Sequence, residues 1–222
     1  APSTPRRAAA PTFGRGAGGD DLYIVDNVGD VIDENPGEGS DSVRSSVSYT
    51  LSGNVEKLNL TGTAAEGTGN GLDNIITGSP VDNILRGQAG NDRLEGRDGN
   101  DRLEGGLGND LLYGQAGADE FRFDSALDAT TNVDTLADFA SADDSIFLKN
   151  DIFTEAGPNG TLSADAFVEG TAAADADDRI IYDSASGFIY YDADGAGGAD
   201  AVLFARVSPG TDLSNTDFII YG

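Results

Sequence analysis

Nine residues separate each of Ile76, Leu85, Leu94, Leu103, Leu112 and Phe121 from the next. No other feature of the chain constrains its fold as much. A nine-residue segment with one large apolar side chain cannot bury that side chain alone, so it must stack on its neighbours. Two further columns keep the same phase. Gly78, Gly87, Gly96, Gly105 and Gly114 form one, and Asn74, Asn83, Asp92, Asp101, Asp110 and Asp119 form the other. In the repeat GQAGNDRLE the first six residues are polar and glycine-rich, which suits a turn. The last three, RLE, read as a minimal strand with Leu94 pointing inward and its neighbours outward. Two repeats then close one coil, and alternate repeats stack about 4.8 Å apart on the same face.

Such stacking gathers like charges. Asn74, Asp92 and Asp110 fall on one edge of the coil, and Asn83, Asp101 and Asp119 on the other. Two carboxylates one coil apart repel by roughly 3 kcal/mol at an effective dielectric near 20. Several such pairs offset much of the about 5–15 kcal/mol that holds a small domain together. A cation between successive loops removes the repulsion. The chain has no cysteine and no histidine, so zinc, copper and iron sites built on sulfur or nitrogen are excluded. Oxygen donors remain, and these are the ligand set of Ca2+. One aspartate from each of two loops would be completed by main-chain carbonyls. No such site exists in the unfolded chain, so metal removal is expected to unfold the roll. A flexible Gly/Asp linker would not hold an apolar residue in phase through six repeats. A metal-free β-helix leaves the aspartates of the strongest loops unexplained.

The balance of 39 acidic and 13 basic residues gives a formal net charge of -26 over 222 residues. That charge excludes nucleic acid as a partner, because phosphate binding needs a basic face. It disfavours an anionic membrane surface for the same reason. No apolar run approaches the roughly 20 residues of a membrane span.

The chain divides into three parts. Residues 1–15 read as a disordered Pro/Ala lead-in or linker without the apolar stretch of a cleavable signal. Residues 16–123 read as the roll. GAGGDDLYI (16–24) fits one copy of the repeat with Asp21 in the acidic column, and 25–68 hold short β-branched clusters between turns, taken as irregular coils. Strict nonapeptides occupy 69–122. Residues 124–222 read as a C-terminal cap, with a short helix around 133–139 or a strand at 145–148, a hairpin over 179–191, and strands at 201–207 and 217–221 in an antiparallel sheet.

GQAGNDRLE, GRDGNDRLE and GGLGNDLLY (87–113) resemble the RTX proteins, whose repeats follow GGxGxDxUx and which leave bacteria by type I secretion. Residues 20–79 look like the longer unit between nonapeptide blocks in large RTX proteins, and the C-terminal strands look like the end of RTX enzymes. The resemblance implies an all-β right-handed parallel β-roll with Ca2+ between turns. It implies that Asp92 pairs with Asp110 and Asp101 with Asp119. It implies further donors in the loops at Gly87, Ala89, Gly90 and Asn91, at Gly96, Asp98, Gly99 and Asn100, and at Gly105, Leu107, Gly108 and Asn109. The repeats at 69–86 depart from the pattern: Asn74 and Asn83 replace Asp, with Asp73 and Asp82 as substitutes beside them. Asp21 has no adjacent strict repeat to supply its partner. The resemblance also implies a logic of export: the chain stays unfolded where calcium is scarce, threads the type I secretion machinery, and folds outside the cell near 10⁻⁴–10⁻³ M calcium. The C-terminal Asp217-Phe-Ile-Ile is similar to the family's export signal.

Other constellations carry less. Asp192, Asp194 and Gly195 look like part of an EF-hand loop but lack its bidentate Glu, so a hairpin turn is the simpler reading and a peripheral calcium site the alternative. Without His the chain has no serine-protease base and no HExxH motif. Paired carboxylates acting on a polysaccharide are the remaining enzymatic option, and a non-catalytic module is the expectation. Its partner would be an upstream catalytic or adhesive domain, or further copies of itself in a calcium-dependent surface layer or filament.

Overall fold

A computed structural model describes residues 13–16 and 18–222. Its architecture follows from side-chain alternation. In the strands Ile84–Ala89, Arg93–Asp98, Arg102–Leu107 and Leu111–Ala116, every second residue turns inward. Leu85, Leu94, Leu103 and Leu112 are fully buried. Alternate strands pair in parallel: Arg93 aligns with Ile75 and Leu111, and Arg102 with Ile84 and Glu120. The result is a solenoid with two facing parallel sheets. One inner row runs Tyr23, Val43, Leu58, Ile76, Leu94, Leu112, Leu136. The facing row runs Gly67, Leu85, Leu103, Phe121, Ile146, Phe218. Gly67 takes its place in the row because a methyl there would press on Leu58, Leu60 and Ile76 at 3.2–3.3 Å.

The strands are longer than a three-residue reading of RLE. Pairing continues through Arg97↔Gln115 and Gly106↔Gln88, into the segment expected to be pure turn. Gln88, Arg97, Gly106 and Gln115 each have positive φ, from 72° to 105°, so the chain bends while the ladder persists.

The parallel stacking does not stop at residue 123. Asp134–Leu136 pairs with Leu111–Ala116, and Ser145–Lys149 pairs with Glu120–Phe123. The helix entertained for 133–139 is therefore a strand at its start. Val202–Arg206 and Phe218–Tyr221, expected in an antiparallel cap, extend the two sheets in parallel as well. The antiparallel element is narrower: Ile180–Asp183 and Phe188–Tyr191 form the expected hairpin, Phe188–Tyr191 runs against Val202–Arg206, and Gly160–Thr161 against Phe218–Tyr221. Aromatic rings seal this end, with Phe123, Phe153, Phe204 and Tyr191 linked by ring-centroid distances of 5.1 Å. Of the expected lead-in, residues 1–12 lie outside the described residues. Phe13–Arg15 is a strand, paired in parallel with Val31–Asp33.

Candidate metal centres

Each acidic column residue sits immediately before a strand, where the loop of one coil meets the loop of the next. Its main-chain N–H points along the stack. Asn74 donates to Asp92 Oδ1 at 2.7 Å, Asp92 to Asp110 Oδ1 at 2.8 Å, and Asp110 to Asp134 Oδ1 at 3.1 Å. On the other edge Asn83 donates to Asp101 Oδ1, Asp101 to Asp119 Oδ1, and Asp119 to Asp144 Oδ1, at 2.7, 2.8 and 3.0 Å. One carboxylate oxygen of each aspartate is thus used. The second is not: Oδ2 of Asp92, Asp101, Asp110 and Asp119 is buried with no hydrogen-bond partner. Buried polar atoms are rarely left this way, and four in equivalent positions need a common cause.

Burial is the main cause of their raised pKa values, with hydrogen bonds from the stack opposing it. Asp92 and Asp101 are pushed up to about 7, and the charges of Asp110 and Asp119 respectively add to the rise. Asp110 and Asp119 are pushed up to about 6. Asp134 is raised by its burial and then by the charge of Asp110.

The glycine column explains how other oxygens approach. A methyl on Gly87 would collide with Asp92 Oδ2 and the Gly105 carbonyl, and one on Gly96 with Asp101 Oδ2, the Gly114 carbonyl lying 2.8 Å away. Gly105 and Gly114 stand in the same way against Asp110 and Asp119. A carboxylate oxygen and a carbonyl of the next coil therefore converge on a space that only a residue without Cβ leaves open. The donors are oxygens alone, and the carboxylate ones are unpartnered, which suits a hard divalent cation. Asp92, Asp101, Asp110 and Asp119, with the carbonyls of Gly105 and Gly114, would hold it.

The remaining loop residues do different work. Gly90, Gly99 and Gly108 adopt φ of 113°, 123° and 136°, and a methyl on Gly108 would strike the Gly90 carbonyl. Gly108→Ala is expected to cost roughly 1–3 kcal/mol from strain at this φ, read as a lowered thermal midpoint in calcium. The Leu107 carbonyl accepts the Gly90 N–H at 3.0 Å. Asn91 and Asn100 accept main-chain N–H groups of Asn109 and Ala118 one coil on, each at 2.9 Å, and Asn109 accepts that of Val133. Their side chains tie loop to loop, so their amide oxygens are engaged away from the carboxylates. Ala89 is half-buried, and Asp98 is exposed.

Four further expected positions have hydrogen-bond partners of their own. Asn74 Oδ1 accepts the Asn70 N–H at 2.7 Å, and its amide donates to the Val55 and Glu56 carbonyls. Asn83 Oδ1 accepts the Ser79 N–H, and its amide reaches the Ala64 carbonyl at 2.8 Å. The amide hydrogens supply there a positive partner that an aspartate lacks. Asp73 and Asp82 are exposed and accept the N–H of Asn91 and Asn100. They cap the next loop through one carboxylate oxygen each.

Several column members escape a search by period. Asp41, Glu56 and Asp144 each precede a strand in register with the repeats, and Asp134 begins one. The separations along the two columns are 20, 15, 18, 24 and 25 residues. The signal they share is an acid two residues before an inward apolar residue, as in Asp134-Thr-Leu136 and Asp144-Ser-Ile146.

Fold and columns together define a class: a parallel β-roll whose stacked loops collect carboxylates for a divalent cation. The sequence makes the assignment specific. Residues 68–103 and 95–125 match the RTX calcium-binding nonapeptide repeat, in four copies, so this stretch is a block of RTX calcium-binding repeats. Among solved structures the chain is similar to the AlgE6R3 subunit from the Azotobacter vinelandii mannuronan C5-epimerase, with 26% identity over 67% of this chain and 78% of that chain and a TM-score of 0.42. A comparison with curated proteins gives no match. Among the described residues no helix is long and apolar enough to cross a membrane.

Proposed function

We propose that this chain is a non-catalytic calcium-dependent folding module of a secreted bacterial protein. Its unfolded form would pass through a type I secretion channel, and its folded form would stabilise the exported product outside the cell. The observation that carries this reading is the set of four buried, unpartnered carboxylate oxygens on Asp92, Asp101, Asp110 and Asp119. Bound calcium supplies positive charge to them. Without it the chain must protonate these groups or separate the coils, and a net charge of -26 favours separation. The absence of histidine and cysteine from the sequence supports a structural rather than catalytic role.

Self-association is a second reading with one observation in its favour. Among the described residues the strand Tyr49–Thr50 ends its sheet, close to exposed Val28 and Val31, and an open sheet edge is a template for another chain. One titration separates the two. Circular dichroism and light scattering are followed together as calcium is added to the chelated chain. A coil-to-β transition near 10⁻⁴–10⁻³ M at constant mass is the expected result. Growth in mass with the transition would replace the first reading by the second, and β structure that is complete in chelator at neutral pH would remove both.

A further inference from the structure

Outside the strict repeats, one buried cluster of acids draws its members from three segments of the first coil. Asp21 precedes the strand Leu22–Val25, Glu34 follows Val31–Asp33, and Asp41 precedes Ser42–Ser45. All three are more than nine-tenths buried, with exposures of 3%, 6% and 1%. One carboxylate oxygen from each lies within 4.8 Å of the others. Among the described residues they are the one such group of potential metal ligands.

Two observations link this cluster to the repeat centres. The first is an orphaned oxygen. Glu34 Oε1 accepts the Tyr23 hydroxyl, but Glu34 Oε2 is buried and accepts nothing. The other described atoms in that condition are the Oδ2 atoms of Asp92, Asp101, Asp110 and Asp119. The second is a glycine cradle. Pairing of Phe13–Arg15 with Val31–Asp33 brings Gly16 beside Glu34, and a methyl on Gly16 would collide with both Glu34 carboxylate oxygens. Gly87 and Gly96 stand against Asp92 and Asp101 in the same way. The column geometry is also kept, since the Asp21 N–H donates to Asp41 Oδ1 at 2.8 Å and the Asp41 N–H to Glu56 Oε2 at 2.7 Å.

We propose that Asp21, Glu34 and Asp41 form a separate calcium-class cation site that clasps the first coil. It lies outside residues 68–125, where the nonapeptide repeats match. Its distinguishing ligand is a glutamate delivered by the loop after Val31–Asp33, in place of the carbonyl-rich turn of a strict repeat. Three carboxylates with no nitrogen or sulfur donor select a hard cation, and a glutamate able to bind through both oxygens favours calcium over the smaller magnesium. The site ties the segments that lead into or out of Leu22–Val25, Val31–Asp33 and Ser42–Ser45, whose Tyr23, Val25, Ile32 and Val43 share the core beneath it.

The test uses the full chain with Ca2+, and with Tb3+ as a luminescent probe. Glu34→Gln is expected to lower the calcium stoichiometry by one ion per chain in isothermal titration calorimetry. The calcium-driven β transition of the repeats should remain, which keeps the outcome separate from that of the folding-module reading. Tyr23 touches Glu34, so tyrosine excitation should sensitise terbium held there. Tyr23→Phe leaves every carboxylate in place and should reduce that emission severalfold. An unchanged ion count in Glu34→Gln overturns the proposal, as does a Tyr23→Phe chain whose terbium emission equals the parent's. If Glu34→Gln fails to fold, the Tyr23→Phe comparison decides alone.

Discussion

Excess chelator at about pH 8 should convert most of the β-roll to coil, and the same chelator at about pH 5 should leave much of it folded. The sign comes from the raised pKa values. In the folded chain Asp92 and Asp101 are pushed up to about 7, and Asp110 and Asp119 up to about 6, from an ordinary value of 3.8. Between these limits the folded chain holds protons that the unfolded chain has released. Stability without metal is therefore greatest on the acid side and falls as pH rises from the ordinary carboxylate range through about 7. With calcium the trend reverses, because the ligands bind as carboxylates and protons compete. The expected effect is large. An ion at a hundredfold its dissociation constant adds about 2.7 kcal/mol, so several ions match the roughly 5–15 kcal/mol of a whole domain. Circular dichroism across pH, with and without calcium, gives two curves that should cross. Replacing Asp92, Asp101, Asp110 and Asp119 together by Asn should flatten both, since Asn74 and Asn83 show how an amide closes the same loop. Parallel curves in the parent protein would mean that these four carboxylates are not the groups that couple pH, metal and folding.

The reading of 69–122 from period alone succeeds for a physical reason. Where each coil has the same length, inward residue, turn glycine and acid recur in one phase, and spacing along the chain equals position in space. Elsewhere the stack persists but the loops change length, so the phase is lost while the pairing is kept. Asp134 and Asp144 continue the two columns after 24 and 25 residues rather than 18. No periodic search reaches them, although each stands two residues before an inward apolar side chain. The strands 202–206 and 217–221 alternate as any half-buried strand does, and alternation does not say whether the partner is parallel. Each has an antiparallel partner, as expected of the cap, and on its other side a parallel one that extends the roll. The Glu34 carboxylate is hidden more deeply, because its place depends on Phe13–Arg15 pairing with Val31–Asp33, and neither segment carries the repeat.

Leu103→Ala should be strongly damaging, and Ile75→Ala nearly silent. Both residues are branched aliphatics at the strand segment of a nonapeptide, so composition does not separate them. Orientation does. Leu103 is fully buried, held in register between Leu85 and Phe121. Ile75 precedes the inward Ile76 and is 41% exposed. The roll is thin, and each strand offers the interior one or two side chains, so neighbours have little freedom to collapse into a vacated space. Truncating a buried leucine costs roughly 2–5 kcal/mol, with the upper end reached where the cavity stays open. In a chain of this size each kcal/mol shifts the thermal midpoint by about 2–4 °C. Leu103→Ala should therefore lower the midpoint in saturating calcium by roughly 5–20 °C, whereas Ile75→Ala should remain within about 0.5 kcal/mol of the parent. The calcium midpoint should move with the first and not with the second, because folding and ion binding are one equilibrium. Thermal melts and calcium titrations of the two variants check this directly. Equal losses would mean that the column is not the core of the roll.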